Sequence, residues 1–173
     1  PEHTNSLEEM LSMGTAKRLA SMIDLQKARP HQSTVGETHH KDTIYITVVD
    51  KDRMAVSFIY SIFESFGSGI ATNKYGILFQ NRGAGFNLSK GHANELKPQT
   101  RPMHTIIPAM LCKDDKIQMP FGVMGGQYQS VGHARVTTNM LDYGLSPQEA
   151  IDAPRCFSED GVLKVERGYA PTV

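Results

Sequence analysis

The groups in this 173-residue chain that could carry chemistry are few and scattered. Thr43 stands at the head of a strand-like run, "TIYITVVD", directly after the polar stretch "RPHQSTVGETHHKD" of residues 29–42. By itself it is either a surface hydroxyl at the start of a β-strand or a residue held out for reaction. Cys112 and Cys156 are too few for a disulfide scaffold or a metal cluster and are expected to be buried or incidental thiols. The seven histidines lack the spacing of a zinc site. A metal at His39 and His40 or beside His104 is therefore not expected, and neither is a cofactor. Arg101, in "TRP", is an anion binder or simply a turn residue. Gly125 and Gly126 close "FGVMGG", where adjacent glycines permit unusual dihedrals and mark at least a turn.

These residues need a frame. Lys plus Arg equals Asp plus Glu at 18 each, so no net field points to nucleic acid or an anionic membrane. No apolar run approaches the roughly 20 residues of a membrane helix. The length suits one domain with its own core.

"SLEEMLSMGTAKRLASMI" carries helical apolar spacing and a capping box from Ser6 to Glu9, with Gly14 leaving one bent helix or two short ones and Pro30 as the stop. Residues 29–42 are an exposed linker. Thr43 to Asp50 and Met54 to about Phe63 form a hairpin across "DKDR", Tyr75 to Gln80 is a third strand, and "CKDDK" turns another hairpin with Pro108 at an edge. A helix over 127 to about 142, a short helix capped by Ser146 with Glu149, and a last strand in "VLKVERG" complete a layered α+β order.

Six stretches taken in order carry a resemblance: "TIYITVVDKD", "SFGSGI", "RPMHTIIPAM", "FGVMGG", "LDYGLSPQEAIDAPR" and "VERGY". Together they resemble the catalytic small-subunit portion of the gamma-glutamyltransferase family, a branch of the N-terminal-nucleophile hydrolases. The resemblance spans residues 43–173, and residues 1–42 resemble the end of that family's large-subunit portion. It implies a partial αββα sandwich of antiparallel sheets with flanking helices.

It also implies roles. Precursor cleavage between Asp42 and Thr43 would leave Thr43 as a terminal nucleophile. A threonine hydroxyl is weak alone, but a terminal α-amine titrating near about 7.7–8.0 can serve as its base. Within an intact chain that nitrogen is an amide and has no such capacity. Gly125 and Gly126 match the pair whose N–H groups form the oxyanion hole. Ser61 matches a hydroxyl that orients the nucleophile and assists cleavage. His104 and Thr105 match a hydroxyl pair that holds a carboxylate, of which Thr105 alone keeps the hydroxyl.

Three positions depart from the classical pattern. Arg82 and Gly85 stand where an amide and then an acidic side chain bind the glutamyl ammonium, and Phe63 replaces an asparagine. A lost carboxylate and a gained guanidinium favour an anionic or neutral group over a cation. These changes resemble the acylase-like branch. Arg82 either receives an acidic acyl group or braces its glycine-rich loop through carbonyl contacts. The implied reaction is amide hydrolysis through a threonine acyl-enzyme, with transfer to an amine as a variant. The alternative is an unprocessed or noncatalytic subunit. In both cases the expected partners are a large-subunit portion, from the same precursor or a separate chain, or self-association into a homo-oligomer.

Overall fold

The computed structural model describes residues 7–27, 43–159 and 161–170. The 29–42 linker, Pro30, His39, His40, Asp42 and the Ser6 end of the first capping box lie outside them. Two short helices come first, α1 (Leu7–Met10) and α2 (Met13–Ala20). They part at Ser12, whose side chain caps α2 by accepting from Thr15 N at 3.1 Å, so Gly14 lies inside a helix and is not the break.

Alternating β-branched and aromatic residues then build β1 (Thr43–Val49) and β2 (Ala55–Ser61), paired antiparallel from Thr43 opposite Ser61 to Val49 opposite Ala55. Asp50 makes the turn: its Oδ1 accepts from Asp52 N at 2.9 Å and Met54 N at 2.8 Å, while Arg53 takes a φ of 65°. The pleat separates two faces. Thr43, Tyr45 and Thr47 share one with Ser57, Ile59 and Ser61. The other carries Ile44, Ile46, Val48, Val56, Phe58 and Tyr60, each about half exposed, so the more apolar face is the open one.

The expected third strand does not form. Residues 70–79 fold back on themselves instead, with Gly76 at a φ of 63°, Thr72 N donating to Ile77 O, and a single bridge between Ala71 and Leu78. Ile77 N also donates to the Thr72 hydroxyl at 3.1 Å, so side-chain bonding competes with a ladder and wins.

The next hairpin, β3 (Ala109–Lys113) and β4 (Lys116–Phe121), turns at Asp114 and Asp115, both at positive φ, and Pro108 stands just before it. β4 lies alongside β2 without joining its ladder. Then come α3 (Tyr128–Leu141) and α4 (Pro147–Asp152), the latter started by the full Ser146–Glu149 capping box. The final hairpin pairs β6 (Val162–Val165), expected, with β5 (Cys156–Glu159), not foreseen. Arg155 and Glu166 clasp its base, and this pairing holds the Glu166 carboxyl at about 2. Arg135 of α3 donates to the carbonyls of Ala153 and Pro154, tying the helix to the same hairpin.

The whole is an α+β arrangement of antiparallel sheets and helices. Among the described residues Ala150 is the one fully buried apolar side chain, so most of the apolar surface stays open. Both cysteines are exposed, so the thiols are incidental, not buried.

Candidate active site

Register brings the first two groups together. Thr43 and Ser61 are opposite each other at the end of the β1–β2 ladder, on one face, and the Thr43 hydroxyl donates to Ser61 Oγ at 3.1 Å. Ser61 Oγ also accepts from Phe63 N at 3.2 Å, which fixes the serine while the chain leaves the strand. Phe63 is at a φ of 78°, a left-handed conformation rare for an aromatic residue. Asparagine, which the resemblance places there, enters that region more readily.

The 62–64 segment is stitched to residue 81: Asn81 N donates to Ile62 O, Glu64 N to Asn81 Oδ1, and Asn81 Nδ2 to the Glu64 carboxylate at 2.6 Å. This sets Arg82, which opens a 3-10 turn (Arg82–Gly85), against Phe63, the guanidinium lying 5.2 Å from the ring centroid. Arg82 is 9% exposed, yet none of its three guanidinium nitrogens has a hydrogen-bond partner among the described residues. It braces no loop carbonyl. Burial pushes its pKa down from the usual arginine value.

Asn94 joins this turn to the next segment, its Nδ2 donating to Gly85 O and its Oδ1 accepting from Met103 N at 3.0 Å. Gly85 packs on the Met103 carbonyl, 3.3 Å from where a β-carbon would stand. Two residues further on, Thr105 Oγ1 is buried with no partner among the described residues. His104, its neighbour, is exposed, as is Arg101.

The glycine pair lies at the entry to α3. Gly125 and Gly126 have φ of 118° and 59°, and their carbonyls accept from Tyr128 N and Gln129 N, which starts the helix. Gln129 is fully buried; oriented to satisfy its bonding, its amide nitrogen donates to Val123 O at 3.0 Å and Thr105 O at 2.8 Å. One side chain therefore clamps the glycine loop to the Thr105 segment.

A second tie runs to β1. A β-carbon on Gly122 would stand 2.3 Å from the Tyr45 ring, so these residues touch, and Tyr45 lies on the Thr43 face with its hydroxyl 2.8 Å from Ser57 Oγ. Gln129 and the Tyr45–Gly122 contact were missed in the sequence. The available signal was the polar residue in the first turn of an otherwise mixed helix. An apolar cavity of 580 Å³ opens behind the loop, between Phe121, Val123, Met124, Tyr128, Val136 and Ile151, and does not include Thr43.

The family model described as Gamma-glutamyltranspeptidase matches residues 1–173, and the chain belongs to that family. It is 42% identical over 149 residues to the glutathione hydrolase-like YwrD proenzyme of Bacillus subtilis, covering 86% of this chain and 28% of that protein. To the oxamate amidohydrolase proenzyme of Klebsiella pneumoniae it is 36% identical over 179 residues, covering 99% of this chain and 33% of that one. A cephalosporin acylase structure from Bacillus halodurans superposes with a TM-score of 0.81 at 39% identity, covering 98% of this chain and 31% of that chain. The sequence thus spans about a third of the length of these three proteins.

Proposed function

We propose that this chain supplies the nucleophile of an amide hydrolase, completed by the large-subunit portion that its relatives carry beyond the matched third. The observation that carries the proposal is the 3.1 Å hydrogen bond between Thr43 and Ser61 at the first residue of β1. The relatives' names support the class: an amidohydrolase, a glutathione hydrolase-like protein and an acylase. Residues 43–173 are the catalytic portion in this reading, and residues 1–42 the end of the large one.

Opening the Asp42–Thr43 peptide frees the Thr43 α-amine. Thr43 Oγ1 then attacks the amide carbon, and its proton passes to that amine. Ser61 holds the hydroxyl in place. The N–H groups of Gly125 and Gly126, set at positive φ, receive the developing oxyanion. When the C–N bond breaks, the α-amine returns the proton to the leaving amine, and water cleaves the resulting ester to release the acid. An amine in place of that water gives transfer.

Thr105, whose hydroxyl is buried with no partner among the described residues, lines the acyl side of the site with Phe63 in this reading, and His104 sits at its exposed rim. The large-subunit portion covers the apolar face of Ile44, Ile46, Val48 and Phe58, which is too apolar to remain in water.

The experiment is an amide-hydrolysis assay on the whole processed protein. Thr43→Ser retains turnover and a trapped acyl adduct on residue 43 by mass; Thr43→Ala loses both. Turnover undiminished in Thr43→Ala overturns the proposal.

A further inference from the structure

Arg82 poses a problem that the reaction alone does not solve. A guanidinium cannot shed its charge at any ordinary pH, and burying one unpaired is far costlier than burying it with an anion. Yet Arg82 is nine-tenths buried and its Nε, Nη1 and Nη2 are all unpaired among the described residues. Glu64, the carboxylate of the stitched segments, accepts from Asn81 Nδ2 and forms no ion pair with Arg82. Phe63 contacts the guanidinium through its ring and takes none of its N–H donors, which leaves them for a planar acceptor.

The position is as informative as the missing partner. Phe63 N donates to Ser61 Oγ, and Ser61 Oγ accepts the Thr43 hydroxyl, so the guanidinium stands three contacts from the candidate nucleophile, through Phe63 and Ser61. Its turn also abuts the segment that carries Thr105 Oγ1, another buried group without a partner among the described residues.

We infer that Arg82 is the receptor for a carboxylate at the far end of the acyl group, and that the substrates are monoamides of dicarboxylic acids with no ammonium near that carboxylate. The inference rests on the proposed reaction at Thr43. A bidentate guanidinium–carboxylate pair fits the unused donor edge. An α-ammonium in the same place would meet a like charge and no acid to offset it.

The test uses the whole processed protein and two anilides, glutaryl anilide and its terminal amide, which differ only in the charge of the distal group. The wild type favours the glutaryl compound by about 30-fold in kcat/KM, within the range of a charge-assisted pair. Arg82→Gln removes that preference by lowering kcat/KM for the glutaryl compound far more than for the terminal amide; Arg82→Lys keeps part of it.

Free glutarate separates this inference from the reaction itself. By calorimetry it binds the Thr43→Ala variant and not the Arg82→Gln variant, so a carboxylate site is detected even where hydrolysis is absent. Arg82→Gln melts in one cooperative transition near that of the wild type, which shows that the variant is folded, and glutarate raises the melting temperature of the wild type only. Equal losses on both anilides, or glutarate binding unchanged in Arg82→Gln, would overturn the inference and point to a carboxylate of the large-subunit portion as the arginine's partner.

Discussion

The Thr43 hydroxyl donates to the Ser61 hydroxyl at 3.1 Å across the last rung of the β1–β2 ladder. Because Ser61 Oγ also accepts from Phe63 N, the serine is held from one side and holds the threonine from the other. Removing it frees the Thr43 side chain to rotate. Ser61→Ala is expected to lower kcat by about 100-fold, the cost of a misplaced reacting group, while Ser61→Thr restores most of it. Steady-state kinetics on the processed protein measure this; unchanged kcat in Ser61→Ala would remove Ser61 from the site.

Gln129 is the clamp between Val123 and Thr105. Gln129→Leu strips the donor from two carbonyls in a fully buried place, with an expected stability loss of roughly 1–3 kcal/mol. The glycine loop loosens with it, so kcat falls while KM changes little, because oxyanion donors act chiefly in the transition state. A variant with normal kcat and only a lower melting temperature would make Gln129 a purely structural residue.

Gly122 has no room for a side chain beside Tyr45. Gly122→Ala is expected to cost roughly 1–3 kcal/mol through overpacking. In a Tyr45→Ala background the same change costs much less, and a double-mutant cycle measured by denaturant unfolding reads the difference as coupling. Additive effects would mean that the ring and the glycine do not touch.

His133 of α3 is buried against Phe121, with ring centroids 5.0 Å apart and no partner for Nε2 among the described residues. Burial lowers its pKa from the ordinary 6.5, with a hydrogen bond to the Ile107 backbone opposing the shift in part. The folded form therefore resists a proton that the unfolded chain accepts. The stability this histidine contributes is present above about pH 6.5 and is lost as pH falls toward the lowered folded value. Melting temperatures taken from pH 8 to 5 should fall less steeply for His133→Gln than for the wild type; parallel curves would assign the acid sensitivity elsewhere.

Much of this was readable from the chain because local chemistry governs it. The 43–63 hairpin follows from alternation and the Asp50 turn, and α4 from Ser146, Pro147 and Glu149. The Tyr75–Gln80 strand failed because its apolar alternation says nothing about a Thr72 hydroxyl that captures Ile77 N first. β5 was missed since four residues give too short a pattern. At the site, ordered motifs singled out Thr43, Ser61, Arg82 and the glycine pair. What ties them together was hidden, because Gln129 and Tyr45 act through contacts far apart in the chain. That Arg82 braces no loop carbonyl among the described residues likewise emerges only once the side chain is folded among its neighbours.

The central claim is that Thr43 becomes a free terminus and reacts from it. Sequencing the N-termini of the mature whole protein, with intact mass before and after brief exposure to an amide substrate, tests this most directly. The account predicts a chain beginning Thr43-Ile44-Tyr45, which gains the mass of one acyl group on Thr43. Amide hydrolysis by a protein whose 42–43 peptide remains intact would contradict it.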